Sequence, residues 1–405
     1  MKTSKNMPSS REQAPSHLWQ ARFTTRAALS TGCLSLFLML GCASSSEVEP
    51  VEARGPKAIE PSIERLLATG RFEKGELWRL NLSHATTRPC VDRRIEVHED
   101  LVLVQDNDHM VRALDKEHGV HRWVVDFGLP LSQEIGVSEN SVTVVGGDDL
   151  VSVHRDSGAR LIERPLLHLN FWPSCDGVAA GGTVFVGRDA PYGIQSLDPK
   201  TGVGGWHYPT SSPVLDLITH GTGGAIQVIA MTNDGTLLAL APWHAALPRP
   251  ARANWTTELR GTHLTGGLTI SGDNLLFAAE DGFFHCIDAR SGLVRWKTPC
   301  ECELAPARPV AAGGDVYCAA EGRLIALDQQ SGAIRWSCEN GKRLISRIGS
   351  QCYVALAGTA VAVHDAQSGK EVARFSIEGL THVPSIPEGG IFLAGDGGGN
   401  LFALR

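Results

Sequence analysis

Short apolar or alternating runs recur along this chain of 405 residues, among them Leu101-Val-Leu-Val104 and Val142-Thr-Val-Val145. Runs of this length, bounded by turn-forming residues, predict β-strands. A turn follows each run, at Asn107-Asp108, Asp148-Asp149, Arg188-Asp189, Asp234-Gly235, Asp281-Gly282, Glu321-Gly322, Gly358-Thr359 and Asp396-Gly397. A second strand comes next, and in four places it closes on one pattern. These are Ala113-Leu-Asp115-x3-Gly119-x3-Trp123, Ser196-Leu-Asp198-x3-Gly202-x3-Trp206, Cys286-Ile-Asp288-x3-Gly292-x3-Trp296 and Ala326-Leu-Asp328-x3-Gly332-x3-Trp336. A fifth, Val363-His-Asp365-x3-Gly369, ends in Phe375.

Each residue type in the pattern has a physical task. The residue before Asp is apolar and belongs in a strand. Asp accepts from backbone N–H groups of the turn that follows. Gly supplies the positive φ where the hairpin closes. Trp opens the next strand and offers a large flat face to a neighbouring unit. Asp288 to Asp328 is 40 residues and Asp328 to Asp365 is 37, whereas Asp115 to Asp198 is 83 and Asp198 to Asp288 is 90. The two long gaps therefore each hold a degenerate copy. One is Val151-Ser-Val-His154-x3-Gly158, ending in Leu161-Ile162, and the other is Leu237-Leu-Ala-Leu240, which reaches Trp255 through a Pro-rich insertion.

The chain stops at Asn400-Leu-Phe-Ala-Leu-Arg405, half-way through a unit, and the missing strand appears at the other end as Gly75-Glu-Leu-Trp78-Arg-Leu80. Trp78, Trp123, Ile162, Trp206, Trp255, Trp296, Trp336 and Phe375 then mark eight equivalent places. Four short strands per period of about 40 residues define a propeller blade. The expected fold is all-β: an eight-bladed β-propeller of four-stranded antiparallel blades, its ring closed by the N- and C-terminal strands so that no open edge remains.

The N-terminus is a separate object. Lys2, Lys5, Arg11, Arg22 and Arg26 precede an apolar run from Ala27 to Leu40, which is signal-peptide length and short for a transmembrane helix. It ends Leu38-Met39-Leu40-Gly41-Cys42, which looks like a bacterial lipobox. The expected division is a lipoprotein signal peptide over 1–41, a lipidated tether over 42–70 and the propeller over 71–405, with Cys42 carrying the lipid. Residues 43–57 are rich in Ser, Glu and Pro, as a flexible tether would be. Ala43 after the cysteine favours the outer membrane, facing the periplasm, in the enterobacterial sorting pattern it resembles.

Removing residues 1–41 takes away five basic residues and one acidic, Glu12, and moves the formal net charge from −7 to −11. An acidic body argues against a nucleic-acid partner and makes a covalent membrane anchor necessary. Ten cysteines less Cys33 and Cys42 leave eight, which allow 105 pairings. Outside the cytoplasm they could pair, and burial as reduced apolar residues is equally open.

The motif Ala-x-Asp-x3-Gly-x3-Trp resembles the pyrroloquinoline-quinone (PQQ) enzyme repeat, over residues 75 to 405. Two branches share it. The quinone-dependent alcohol dehydrogenases have adjacent cysteines over the cofactor and a calcium held by Glu, Asn and Asp beside an Asp base. This chain has no Cys-Cys pair, its nearest being Cys300 and Cys302 around Glu301. The other branch is the BamB-like lipoproteins of the outer-membrane β-barrel assembly machinery, which this chain is similar to in length, lipobox, tether and blade count. That resemblance implies a non-enzymatic scaffold, without cofactor or metal, monomeric, and holding protein partners of a barrel-assembly complex. The alternative is a small-ligand or quinone-binding periplasmic enzyme or sensor using the propeller axis.

Other chemistry is thin. His118-x-x-His121 sits in a turn with no third ligand nearby, so exposed turn histidines are expected. His154 replaces a turn Asp, and His285 and His364 lie on apolar strands, where satisfied or half-buried rings are expected. Gly395-Asp-Gly-Gly-Gly399 precedes a strand and so reads as a hairpin, not a phosphate loop. Two departures from the repeat are candidate partner-binding sites. One is Phe171-Trp172, at a link between blades. The other is the Pro-rich loop with Trp243, Arg249 and Arg252.

Overall fold

The computed structural model describes residues 67, 72, 75–82, 94–105, 109–128, 135–137, 140–146, 149–161, 167–168, 173–175, 177–221, 226–241, 252–259, 262–388, 390–396 and 399–405. Eight small antiparallel sheets stand in a ring. Blade 1 comprises Arg94–His98, Leu101–Gln105, Met110–Asp115 and His121–Asp126, paired in chain order. Blades 2 to 7 repeat this order, running inner strand to outer strand. Blade 8 takes Leu380–His382, Phe392–Asp396 and Asn400–Leu404 from the C-terminus and its outer strand, Glu76–Asn81, from the other end of the chain. Trp78 lies opposite Ala403 and Asn81 opposite Asn400 in this antiparallel pairing. The expected eight blades and the expected closure are both present.

The core is distributed between blades. Strands at the middle of each blade are apolar on both faces, Leu101–Gln105 being buried at every position. Each face must therefore be covered by a neighbour, and eight apolar clusters do so. One joins blades 1 and 2 through Leu101, Leu103, Val142 and Val144. Others join blades 3 and 4, 4 and 5, 5 and 6, and 6 and 7. Blades 7 and 8 meet around Tyr353 and Phe392, where Leu67 and Phe72 also pack. Trp78, Val102 and Leu393 join blade 8 to blade 1, so the last joint is of the same kind as the rest. Blades 2 and 3 meet through Leu150, Ala179, Val184, Val186 and Leu197.

The repeat residues build these joints. Asp115 accepts from the N–H groups of Glu117 and His118 at 3.1 and 3.0 Å, and Asp288 and Asp328 cap their turns in the same way. The turn glycines carry φ between +64° and +73° and donate back to the Asp carbonyl. Gly119, Gly158, Gly292, Gly332 and Gly369 also sit beneath the tryptophan of the preceding blade, whereas Gly202 follows blade 2, which has none at that place. A Cβ on Gly119 would lie 2.5 Å from the Trp78 ring, on Gly158 2.7 Å from Trp123, and on Gly332 2.6 Å from Trp296. The indole N–H then donates to the carbonyl just after the turn Asp. Trp78 reaches Lys116 at 2.8 Å, Trp123 Arg155 at 2.6 Å, Trp296 Gln329 at 3.0 Å and Trp336 Ala366 at 3.0 Å.

The degenerate blades keep this geometry with substitutes. In blade 2, His154 stands where Asp is expected. Its ring Nδ1 accepts from Asp156 N–H at 3.3 Å, while Gly158 still donates to its carbonyl at 2.9 Å. The outer strand of blade 2 differs from expectation. Arg160 bridges Val153, and Leu167–His168 pairs with Asp149 and Leu150, so part of the presumed blade link belongs to the blade. Ile162 lies outside the described residues. In blade 4, Ala241 takes the Asp position and the chain returns as Ala253–Glu258. Trp255 there docks on Gly292 and donates to Ala289 at 2.9 Å.

The histidines separate into turn and strand positions. His118 is exposed and caps the Asp115 carboxylate at 2.8 Å. His285 and His364 are buried, each with a hydrogen-bond partner. His285 stacks flat on Phe277 and faces Asp281 at 3.1 Å, and burial pushes its pKa down. His364 stacks on Trp336, with Nδ1 2.9 Å from the Gly369 carbonyl. A flat ring fits between blades as an aromatic does, which explains the deeper burial. The glycine-rich stretch at 395–399 is a hairpin, with Asn400 N–H donating to Asp396 at 2.8 Å. Of the described cysteines, Cys286, Cys318, Cys338 and Cys352 are buried and Cys175, Cys300 and Cys302 are half-buried, and none of these is disulfide-bonded.

Two glycines separate backbone strain from close approach. Gly322 and Gly332 both have φ +73°, but a Cβ on Gly322 meets open space. Gly322→Ala should cost about 1–2 kcal/mol from the left-handed backbone alone. Gly332→Ala should cost about 1–3 kcal/mol more, because Trp296 must move. Denaturant midpoints of the two variants check this.

The turn carboxylates set an acid limit. The Arg122 guanidinium holds the Asp115 carboxyl down at about 2. Burial pushes Asp288 up, but Arg295 and Ser291 outweigh it and hold it at about 2. Groups with depressed folded pKa stabilise the fold above their unfolded pKa of about 4 and lose that contribution as pH falls towards the folded value. The unfolding midpoint should fall between about pH 4 and pH 2, and Asp288→Asn should make that fall shallower.

Candidate functional site

The inner strands of the blades face the propeller axis and vary in length, from three residues in Ile135–Val137 and Val178–Ala180 to seven in Val214–His220 and eight in Gly341–Ile348. They leave a cavity of about 830 Å³. Its charged lining is Glu96 and His98 from blade 1, Asp216 from blade 4, Arg308 from the approach to blade 6 and Arg343 from blade 7. A second cavity of about 540 Å³ shares Asp216 and Arg308 with it and is lined also by Ser174, Cys175 and Thr265. A third, of about 520 Å³, shares Val97, His98, Val137, Ala179 and Thr219 and lies against blades 1 to 4.

The carboxylates on this axis are committed to protein donors. Asp216 is buried and accepts from Leu217 N–H at 2.9 Å and Leu268 N–H at 2.7 Å. Arg308 donates to it at 3.2 Å, lying so close to the backbone that a Cβ on Gly267 would stand 2.5 Å from its Nε. Glu96 pairs with His98 at 3.1 Å. Arg343 donates to the Val383 carbonyl, and burial pushes its pKa down. Ser385 Oγ donates to Leu344 O at 2.6 Å, and Ser346 and Arg347 pair in parallel with Ile386 and Glu388, so blades 7 and 8 are stitched together on the axial side. Among the described residues no three of His, Cys, Asp and Glu come together in a group that would hold a metal. The axis as built offers ion-paired polar walls, suited to ordering the ring and to hydrogen bonding with a polar guest.

Sequence reasoning placed none of these axial residues. Asp216 does carry a signal, since it interrupts the apolar run Val214-Leu-Asp-Leu-Ile218. Of the rim candidates, Arg252 is exposed just ahead of the strand Ala253–Glu258. Phe171, Trp172, Trp243 and Arg249 lie outside the described residues, as does Cys42. The repeat residues named from sequence, from Trp78 through Gly369, are brought together at the blade joints and not at the axis.

These features define a class, the quinoprotein-type eight-bladed propellers. A family model described as outer membrane protein assembly factor BamB matches residues 16–170, 110–254 and 244–380, overlapping stretches that span most of the chain. The chain belongs to that family. An outer membrane protein assembly factor BamB of Yersinia pestis is 29% identical over 115 residues, which is 28% of this chain and 29% of that protein. The crystal structure of BamB from Moraxella catarrhalis superposes with a TM-score of 0.59 at 16% identity, covering 82% of this chain and 99% of that one. Quinohemoprotein alcohol dehydrogenase from Comamonas testosteroni gives 0.56 at 14% identity, over 84% and 77% of the two chains. The computationally designed Ika8 protein gives 0.56 at 15% identity, over 82% and 99%. At such identities these likenesses concern the fold alone.

Asp216→Ala should cost about 1–3 kcal/mol, because the buried Leu268 N–H loses its acceptor. Thermal unfolding measures the cost. Amide hydrogen exchange at Leu268 should rise in the same variant.

Proposed function

We propose that this chain is a lipid-anchored, non-enzymatic propeller scaffold at the periplasmic face of the outer membrane, serving outer-membrane protein assembly. The match to the BamB family model along most of the chain carries this reading. The axial geometry is compatible with it, since Asp216 and Glu96 are engaged by protein groups. Residues 1–41 act as the signal peptide, Cys42 accepts the lipid, and the stretch from 42 to about 70 lets the disc stand off the membrane. Two acyl-bearing groups at one cysteine give firm anchoring where an acidic body would not adhere by charge. A closed ring of blades gives a rigid support on which longer links present a partner surface. Phe171, Trp172, Trp243, Arg249 and Arg252 are the residues proposed to contact that partner.

Native chain tagged at its C-terminus and extracted in mild detergent should bring down an outer-membrane β-barrel assembly subunit in near-stoichiometric amount, read by mass spectrometry. Recovery alone with a bound quinone and calcium would overturn the scaffold reading in favour of a quinoprotein enzyme. Cys42→Ser should abolish labelling by radioactive palmitate and move the chain from the membrane to the soluble fraction. Ala substitution at Phe171 and Trp172 together should lower partner recovery at least tenfold, about 1.4 kcal/mol, with the unfolding midpoint unchanged.

A further inference from the structure

Cys300 and Cys302 stand one residue apart where the outer strand of blade 5, Val294–Pro299, hands over to blade 6. Their sulfurs are 3.4 Å from each other. Both side chains are half-buried against the apolar joint between the two blades, and Glu301 between them is exposed. The segment is pinned at both ends. Cys300 N–H donates to the Gly282 carbonyl at 2.8 Å, and the Glu303 carbonyl accepts from Glu321 N–H at 2.7 Å. Leu304, next along, bridges Ala320. Folding thus holds two thiols together on a backbone that does not let them separate, with access from the solvent side.

Stapling is a poor account of this arrangement. A bond across one residue closes so small a loop that it removes little entropy from the unfolded chain. The segment is also already fixed by the backbone hydrogen bonds just described. A small, partly exposed ring is strained, and strained disulfides are readily made and broken by exchange. The sulfurs need to close by about 1.4 Å to reach bonding distance, which side-chain rotation supplies.

We propose that Cys300 and Cys302 form a thiol–disulfide exchange site whose co-substrate is an external disulfide. The thiolate of one cysteine attacks that disulfide and expels one small thiol, leaving a mixed disulfide. The thiolate of the other attacks the protein-bound sulfur and expels the second thiol. Two protein S–H bonds are lost and one S–S bond forms, and the external disulfide is reduced to two thiols. Burial pushes the Cys300 thiol up to about 11. The site is independent of the scaffold reading and of the compartment in which the chain works.

The test uses the whole chain extracted in mild detergent, fully reduced, then equilibrated with oxidised glutathione, acid-quenched, alkylated and mapped by mass spectrometry. The peptide holding both cysteines should lose two hydrogens and take up no alkylating reagent, and dithiothreitol should reverse both changes. Cys318→Ser should leave the ring intact, although Cys318 is buried in the same joint. Cys300→Ser should stop at a glutathione adduct on Cys302. The proposal is overturned if both thiols stay alkylatable in the folded wild-type chain, if a single glutathione adduct persists there, or if either sulfur bonds to Cys318 instead. Mapping the wild-type chain decides between these results even where a variant does not fold.

Discussion

Every blade in this molecule has two apolar faces and no core of its own, so the structure depends on closing the ring. A four-stranded sheet buried on both sides is stable only with a neighbour on each side, and an open row of such sheets leaves two faces in water. Pairing Glu76–Asn81 with Asn400–Leu404 removes both at once. It makes the joint between blade 8 and blade 1 another member of the series, with Trp78 docked over Gly119 just as Trp296 is docked over Gly332. The closing strand comes from one end of the chain and its partner from the other, so the joint forms only when the intervening blades are in place. That couples the stability of every blade to every other, with long-range contacts of the kind that slow folding.

The tryptophan-to-glycine contact shows why the fold was legible in sequence. One turn solves two problems with three residues. Asp caps the turn, Gly bends it, and the absence of a Cβ on that Gly makes room for the indole of the blade before. Because the tasks belong to adjacent blades, the spacing of Asp, Gly and Trp reports the packing between blades as well as the turn itself. The copies that lost the pattern were still placed, since the period demanded them. Their details were not legible. Nothing in Leu161-Ile162 foretold that Leu167–His168 pairs with Asp149 and Leu150 in blade 2, because no tryptophan marks the register there.

The axis was hidden for the converse reason. Its charged lining comes from inner strands and a link with no motif, contributed by blades far apart in sequence. Asp216 meets Arg308 across 92 residues, and neither position looks unusual unless the ring is already assumed. A charged residue in an apolar run, as in Val214-Leu-Asp-Leu-Ile218, marks that something polar must be satisfied there. It does not say by what. The rim candidates rest on the opposite kind of signal, an excess of aromatic and basic residues in long links, which is readable from sequence because it departs from the repeat.

The departures are not spread evenly. Blades 1, 3, 5, 6 and 7 keep the turn Asp and Gly, whereas His154 and Ala241 replace the Asp in blades 2 and 4. The cavities are not spread evenly either. The inner strands of blades 1 to 4 line the two cavities that share Val97, His98 and Val137, while Thr269–Ser271 of blade 5 and Val310–Ala312 of blade 6 line neither. Most of the ring therefore packs by the repeat's own rule. The rule is relaxed in blades 2 and 4, and the two candidate aromatic and basic links follow those two positions in sequence. A closed ring tolerates this arrangement because its joints are mutually supporting, so surface variety gathers on blades whose loss of a turn Asp is offset by intact neighbours on both sides.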